Sequence, residues 1–194
     1  MDPLSDRDLE RYSRQILMPE FDVAGQQSLA HSRVLVVGAG GLGCPVVLYL
    51  AAAGVGHIEV VDDDHVELAN LQRQIAFTEA DIGRSKAEAL AERAMALNPG
   101  VTVEPIQSRA RQRWLSRAAT RNHLVLDATD NFQTRFAVNQ ACVDASVPLV
   151  SGAAIRAEGQ VAVFDSGRTG APCYQCLYAD VGEATLSCSE AGVI

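Results

Sequence analysis

Basic residues are scarce in this 194-residue sequence, which has 16 lysines and arginines against 24 aspartates and glutamates. The net charge of -8 argues against a broad surface for nucleic acid or for an anionic membrane, so we expect neither as a partner. An anionic ligand would need a local basic pocket. Lysine is the scarcest basic residue, because Lys86 is the only one. A GC-rich coding bias accounts for the excess of arginine, but not for a single retained lysine, whose compact charge suits one phosphate oxygen.

Features of export and of membrane insertion are also missing. The first six residues are acidic and polar, whereas a signal peptide begins with a basic stretch followed by an apolar one. The run 34–58 has no full charge and is long enough to cross a bilayer, but it contains six glycines and Pro45. It therefore predicts a strand, a turn and a buried helix. Five cysteines without a signal peptide predict a cytoplasmic protein whose thiols bind a metal or take part in a reaction.

The hydrophobic pattern predicts the fold class. Hydrophobic residues make up 48% of the chain, enough for the core of one globular domain. Runs made mostly of apolar residues alternate with helical stretches at 42–53, 86–97 and 134–145. The runs are 34–37, 58–61, 101–103, 123–126, 148–150 and 161–164. Because such runs are typical of strands buried on both faces, we expect an α/β fold with a doubly wound, largely parallel, Rossmann-like sheet.

The same pattern divides the chain into three stretches of one domain. We expect a single domain over 1–194, with an N-terminal helical arm at 1–32 that contains a helix at about 5–17. A Rossmann-like core at 33–165 and an irregular, cysteine-containing segment at 166–194 follow it. Within the core, Ser85 and Glu88 have the spacing of a capping box at a helix start.

The segment 38–43 carries the strongest motif. It reads G-x-G-x-x-G, follows the first strand and opens a helix. Gly38 allows the tight turn, Gly40 lets the backbone approach phosphate, and Gly43 lets the helix pack on the strand. The helix N-terminus offers N–H groups to an anion, and Asp62 after the second strand is placed to accept bonds from ribose hydroxyls. The motif predicts a nucleotide, and the alternative is a turn that only joins strand to helix.

The residues that follow Asp62 distinguish between nucleotides. The glycine motif and Asp62 alone make an NAD-dependent dehydrogenase the default. We expect Arg73, Arg84 and Lys86, however, to gather beside the glycine loop as a cationic cluster in an acidic protein. A dinucleotide needs one pyrophosphate cradle, whereas a triphosphate needs charge along its length. The three residues together favour ATP, and for each alone the alternative is a solvated surface charge.

Acidic residues after the fourth predicted strand add a candidate metal ligand. Asp127 and Asp130 lie where the chain leaves the C-terminal edge of the predicted sheet, and ligands of open α/β sheets bind at that edge. Asp130 is placed to hold Mg²⁺ through oxygen, together with phosphate oxygens. For Asp127 we expect a role in the loop or in capping a helix.

Eight short motifs along the chain form a recognisable set. They are 11–15, 38–43, Asp62, 70–74, 83–86, 127–131, 151–154 and 173–176. Together they resemble the bacterial sulfur-carrier adenylyltransferases of the ubiquitin-activating superfamily. Within that family, 149–160 and 188–193 look most like the branch that acts on molybdopterin synthase, in molybdenum cofactor biosynthesis. The thiamine-pathway branch comes second.

The resemblance implies a reaction at the C-terminal Gly-Gly of a small ubiquitin-like carrier protein. The terminal carboxylate attacks the α-phosphate of ATP, which gives an acyl-adenylate and pyrophosphate. A sulfur donor such as a cysteine desulfurase or a rhodanese then converts the adenylate to a thiocarboxylate. Two alternatives remain open, a non-catalytic nucleotide-binding module and, more distantly, the dehydrogenase.

The resemblance also implies roles for single residues. The expected nucleotide site consists of Gly38, Gly40, Gly41, Gly43, Asp62, Asn70, Leu71, Gln72, Arg73, Lys86, Asp130 and Asn131. Asp62 is implied as the ribose ligand and Asp130 as the Mg²⁺ ligand, whereas Arg73 and Lys86 join Asn70 on the triphosphate. Arg14 is implied to reach the triphosphate of a neighbouring subunit, which predicts a homodimer. Arg14, Arg73, Lys86 and Asp130 are the implied catalytic residues.

The cysteines leave several interpretations open. Cys173 and Cys176 form a Cys-x-x-Cys, which supplies two of the four ligands of structural Zn²⁺, although a redox dithiol or two buried thiols fit as well. The family completes the zinc site with a second Cys-x-x-Cys further along. We therefore expect a C-terminally truncated domain with weak or no zinc binding. Cys188 aligns with a thiol that some relatives use in sulfur transfer, with a free loop cysteine as the alternative. For Cys44 and Cys142 we expect core positions.

Overall fold

The computed structural model describes residues 3–178, which form a sheet of six strands with helices on both faces. The strand order is β3-β2-β1-β4-β5-β6. The strands are β1 (Arg33–Val37), β2 (His57–Val61), β3 (Thr102–Ile106), β4 (Leu124–Asp127), β5 (Leu149–Ile155) and β6 (Glu158–Phe164). The first five pair in parallel and β6 is antiparallel to β5. The predicted doubly wound, largely parallel sheet is confirmed. Its order reverses between β1 and β4, where ligands of such sheets bind.

Helices cover both faces of the sheet and bury two apolar cores. On one face lie α4 (Gly43–Ala53) and α5 (Lys86–Leu97), and on the other α6 (Gln112–Ala119) and α7 (Phe132–Ala145). The first core includes Val36, Val47, Ile58 and Leu90, and the second includes Leu35, Leu115, Val138 and Leu149. Residues of β1 alternate between the two cores, because successive side chains of a strand point to opposite faces. The apolar run 34–58 is therefore a strand, a turn and a helix, as predicted.

The edge strands differ from the prediction that every apolar run is buried on both faces. Val161 and Val163 in β6 are 79% and 69% exposed, and in β3 only Val103 is buried. A strand at the edge of the sheet is only partly covered by helices, so most of its side chains stay exposed. An apolar run alone does not show this, because it records side-chain type and not position in the sheet.

The N-terminal arm differs from the single predicted helix. It contains α1 (Asp6–Arg11), α2 (Ser13–Ile16) and α3 (Asp22–Ala30). The break falls at Tyr12, whose buried hydroxyl accepts a hydrogen bond from Asn98 Nδ2 at 2.7 Å. Helix α3 has no hydrophobic signal, because its buried residue is the polar Gln26, which donates to the Ala53 carbonyl at 3.0 Å. Helix α6 was also missed.

In the described part of the chain, no helix combines the length and hydropathy needed to cross a membrane.

A buried carboxylate ties β2 to the segment before β4. Glu59 is fully buried, and Arg121 donates to both of its carboxylate oxygens, with Nε at 2.8 Å from Oε1. Asn122 Nδ2 adds a third bond at 3.1 Å. Burial alone raises the pKa of Glu59, but these hydrogen bonds and the Arg121 charge outweigh burial and lower it. The carboxylate therefore stays ionised inside the fold.

Candidate nucleotide-binding site

A cavity of about 660 Å³ lies at the C-terminal ends of β1, β2 and β4. Four segments of the chain form most of its wall: the turn after β1, the segment from the end of β2 to Gln74, the loop after β3 and the loop after β4. Lys86 at the start of α5 and Arg135 in α7 complete the charged lining. The cavity is at the switch point of the sheet, where the glycine motif had placed a ligand.

The glycine turn has the backbone shape predicted for it. Gly38 has a φ of 99°, and a Cβ there would lie 2.8 Å from the Ala128 carbonyl oxygen. A Cβ on Gly43 would lie 1.9 Å from the Gly38 carbonyl oxygen, so only glycine lets α4 start this close to the turn. Gly38, Gly40 and Gly41 line the cavity, whereas Gly43, which was also expected in the nucleotide site, does not. A ligand thus meets bare backbone on this wall.

Asp62 follows β2 and holds the glycine turn in place. Its Oδ2 accepts the Ala39 N–H at 2.7 Å, and its Oδ1 accepts the Asp64 N–H at 2.8 Å. Burial raises the pKa of Asp62, and these two backbone bonds oppose the rise. Asp62 lines the cavity where a ribose ligand was expected, and it also has a structural role that the sequence did not reveal.

Lys86 is already ordered at the wall of the cavity. It begins α5, and its side chain is only 9% exposed. Its ammonium Nζ lies 2.9 Å from Asp64 Oδ2, and its backbone N–H donates to the Asp64 carbonyl at 3.0 Å. The Ser85 hydroxyl caps this helix start by accepting the Glu88 N–H at 3.4 Å. Asp64 therefore fixes both the backbone and the charge of the single lysine.

The predicted cationic cluster is confirmed for Arg73 and Lys86 and wrong for Arg84. Arg73 packs along Gly41 and lines the cavity. Arg84 instead forms ion pairs with Asp81 at 2.9 Å and Glu92 at 2.6 Å, outside the cavity lining. The sequence could not show this, because residues two positions apart at the start of a helix can point in opposite directions.

The remaining residues of the 70–74 motif divide between the cavity and the core. Asn70 is buried and lines the cavity, and its Oδ1 accepts the Glu67 N–H at 3.1 Å. Leu71 and Gln72, which were expected in the nucleotide site, do not line the cavity: Leu71 packs against the core and Gln72 is exposed.

The loop after β4 presents an exposed carboxylate. Asp130 lines the cavity beside Asn131, whose Oδ1 caps α7 by accepting the Thr134 N–H at 2.9 Å. Asp127 is buried, and its Oδ1 accepts the Thr129 N–H at 3.0 Å, which supports its predicted role in the loop. The two aspartates of this motif thus have different environments.

Two basic residues of the cavity lining were missed by sequence reasoning. Arg109 follows β3, and Arg135 is the fourth residue of α7. Arg109 gave no signal, because it lies in a polar stretch between elements. Arg135 had a signal, because a cation in the first turn of a helix opposes the helix dipole and calls for an explanation.

The Cys-x-x-Cys is compact and fits half of a zinc site. Cys173 Sγ and Cys176 Sγ lie 3.7 Å apart. Zinc–sulfur bonds of about 2.3 Å at a tetrahedral angle place two sulfurs about 3.8 Å apart. Burial raises the pKa of Cys173, but the Asn139 hydrogen bond and those around Cys176 outweigh it and lower the pKa. No third metal-binding side chain joins the pair within residues 3–178, and Cys188 lies outside them.

Three other predicted residues lie away from the cavity. Cys44 and Cys142 are fully buried in the two cores, as predicted, and burial raises the pKa of each thiol to about 12. Arg14 is exposed on α2 and does not line this cavity. Its expected place at a second subunit stays a prediction.

A comparison with known protein families is consistent with the glycine turn and the charged cavity at the switch point of the sheet. A model described as the ThiF family matches residues 12–194. This chain belongs to the ThiF family.

Two relatives of this ThiF-family chain are similar to it in sequence over almost its whole length. It is 46% identical over 194 residues to the molybdopterin-synthase adenylyltransferase of Salmonella typhimurium, covering 100% of this chain and 78% of that protein. It is 44% identical over 195 residues to the sulfur carrier protein ThiS adenylyltransferase of Escherichia coli K12, covering 98% of this chain and 76% of that protein.

A solved relative confirms the fold. The crystal structure of E. coli MccB with ATP superimposes with a TM-score of 0.75 at 28% identity, covering 86% of this chain. The ThiF-family chain spans 50% of that solved chain.

Proposed function

We propose that this ThiF-family chain is an ATP-dependent adenylyltransferase that activates the C-terminal carboxylate of a small ubiquitin-like sulfur-carrier protein ending in Gly-Gly. The observation that carries the proposal is the cavity, which joins the bare glycine turn to Arg73, Lys86 and the Asp130 carboxylate. The names of the two adenylyltransferase relatives support the same chemistry. Several cations in one cavity suit a triphosphate better than a dinucleotide.

The reaction needs little covalent chemistry from the protein. An oxygen of the carrier carboxylate bonds to the α-phosphorus of ATP, while the bond from that phosphorus to the β-phosphate oxygen breaks. Pyrophosphate leaves with the bonding electrons, and the carrier acyl-adenylate remains. Because the attacking carboxylate is already ionised, no general base is required. The chain contributes positioning and neutralisation of phosphate charge, which we assign to Arg73, Lys86 and the N–H groups of the glycine turn.

Asp130 fits the role of a magnesium ligand. Its carboxylate is exposed at the cavity wall, and Mg²⁺ takes one or two carboxylates together with phosphate oxygens. When bound, Mg²⁺ supplies positive charge to the triphosphate. We assign Asp62 to the ribose and Asn70 to the triphosphate, because both line the same cavity.

We propose the small subunit of molybdopterin synthase as the carrier, for molybdenum cofactor biosynthesis, with the ThiS carrier of the thiamine pathway as the alternative. Identities of 46% and 44% to the two kinds of relative do not separate these carriers. We further propose a homodimer in which Arg14 reaches the partner's cavity, and a cysteine desulfurase or a rhodanese as sulfur donor. Zinc at Cys173 and Cys176 and a cytoplasmic location stay predictions.

Carrier-dependent exchange of labelled pyrophosphate into ATP tests the proposal directly. The purified chain is assayed with each of the two carriers, and with each carrier after deletion of its C-terminal glycine. We expect exchange that requires an intact Gly-Gly terminus, and faster exchange with the molybdopterin-synthase subunit. The truncated carriers are the matched control, because they keep the folded carrier and lose only the reacting end.

Each other outcome points to another function. ATP binding without exchange on either carrier indicates a non-catalytic nucleotide-binding protein. Binding of a nicotinamide dinucleotide in place of ATP indicates a dehydrogenase. Faster exchange with ThiS assigns the chain to the thiamine pathway.

A further inference from the structure

Arg135 is an unusual residue in this fold. It is only 8% exposed, although arginine is almost never buried without a partner. It also lies in the first turn of α7, where the helix dipole disfavours a positive charge. Local preference therefore argues against arginine at this position. Departures of this kind concentrate at functional sites, so the contacts of its guanidinium are informative.

The guanidinium of Arg135 connects the loop after β4 to the Cys-x-x-Cys turn. It donates a hydrogen bond to the Thr129 carbonyl, and it shares a small cavity with Tyr174, where burial raises the pKa of the Tyr174 hydroxyl and the Arg135 charge opposes part of that rise. It lies 5.9 Å from the centre of the Phe132 ring. Burial raises the pKa of Asp127, and the Arg135 charge opposes part of that rise. An arginine can make such contacts together because its five N–H donors are fixed in one plane.

The loop that Arg135 holds is the one that presents Asp130. Its start is anchored at Asp127, which accepts bonds from Thr129 and, at Oδ2, from the Ser151 hydroxyl at 3.0 Å. Its end is anchored by the Asn131 cap of α7. Between these anchors, the bond from Arg135 fixes the Thr129 carbonyl, one peptide unit before Asp130. The exposed Asp130 side chain thus depends on its neighbours for its position.

We propose that Arg135 is a positioning residue that holds the Asp130 carboxylate at the cavity wall, with Tyr174 as its brace. The inference rests on the proposed function, because it takes Asp130 as the ligand of Mg²⁺ bound to ATP. Residues that orient a metal ligand matter for metal affinity although they do not touch the metal. Tyr174 is well suited as a brace. Its ring packs edge-on against Phe164, with ring centres 5.9 Å apart, and its N–H donates to Asn139 Oδ1 at 2.9 Å.

The test compares ATP binding with Mg²⁺ and with EDTA, measured by calorimetry on the whole chain, for the wild type, Arg135→Gln and Arg135→Lys. Arg117→Gln on the exposed face of α6 is the matched control, since it makes the same chemical change away from the cavity. We expect Arg135→Gln to weaken ATP binding about 10- to 100-fold in Mg²⁺ and to leave binding in EDTA almost unchanged. Arg135→Lys keeps the charge without the planar fork, and we expect partial recovery.

A second variant covers the case in which loss of Arg135 unfolds the chain, as reported by thermal unfolding. Tyr174→Phe removes one hydroxyl, and we expect it to weaken Mg²⁺-dependent binding about 2- to 10-fold, again with little change in EDTA. Unchanged binding by Tyr174→Phe would then overturn the proposal.

The remaining outcomes separate the proposal from other roles of Arg135. Equal weakening in Mg²⁺ and in EDTA overturns it and indicates either direct contact with ATP or general loss of structure. Wild-type affinity of Arg135→Gln in Mg²⁺ also overturns it. If the wild type itself does not bind ATP, the proposed function fails, and this result is distinct because it precedes any comparison of variants.

Discussion

Replacing the only lysine gives the sharpest test of how the cavity binds phosphate. Lys86→Met removes the ammonium and keeps an unbranched side chain of similar length. In the structure, the Lys86 side chain is 9% exposed and its Nζ is held 2.9 Å from Asp64 Oδ2. Because the side chain is already ordered, a phosphate bound there would avoid most of the roughly 2 kcal/mol that ordering a free lysine costs.

The expected magnitude follows from these contacts. A hydrogen bond to a charged group contributes about 1.5–3 kcal/mol, so Lys86→Met should weaken ATP binding about 10- to 150-fold. The stability cost should be much smaller, because Asp64 is 69% exposed and remains solvated without its partner. Such a pair contributes about 0–1 kcal/mol, which corresponds to a fall in Tm of at most about 4 °C for a domain of this size.

Calorimetric titration with ATP and thermal unfolding measure the two effects separately. Arg84→Met is the matched control, because it removes a neighbouring cation whose partners are Asp81 and Glu92 and which lies outside the cavity lining. The control should bind ATP like the wild type. Wild-type affinity of Lys86→Met, or equal weakening in both variants, would refute the reasoning. If Lys86→Arg binds and exchanges normally, the single lysine is only a compositional accident.

Two further predictions concern acid stability and assembly. The pKa of Glu59 is lowered by folding, so its stabilisation is complete above its unfolded value of 4.5 and is lost as the pH falls through the lower folded value. Arg121→Met should therefore lower the free energy of unfolding, measured in urea at about pH 7, by about 1–2 kcal/mol. This value is small for a buried pair because Arg121 itself is 40% exposed. The difference between variant and wild type should shrink in acid, and a difference that does not depend on pH contradicts this prediction. Mixing inactive Arg14→Ala and Asp130→Ala chains should restore about a quarter of the exchange activity, since half of the dimers contain one intact site; no recovery contradicts a shared site.

Much of the fold could be predicted because its signals are local. Apolar runs marked all six strands, and the bounds of α5 matched the predicted helical stretch 86–97 that follows the capping residue Ser85. The missed elements lacked such signals. Helix α3 buries a glutamine, and the exposed faces of β3 and β6 depend on which strands the helices cover.

The candidate site shows the same division. The sequence placed Gly38, Asp62 and Asp130 at one edge of the sheet, because the C-terminal ends of parallel strands meet there. It could not tell Lys86, which faces the cavity, from Arg84, which pairs on the surface. That distinction depends on the direction in which each side chain points at the start of α5.

The sequence by itself determined the α/β class, the glycine turn and the family motifs, since each depends on residue type and spacing along the chain. Only the tertiary structure decided which charges share the cavity. Asp64 meets Lys86 across 22 residues, and the Arg135 guanidinium meets Tyr174 from a separate segment of the chain. Such contacts arise because strands and helices distant in sequence pack together, and their energies depend on burial and distance that no local pattern records.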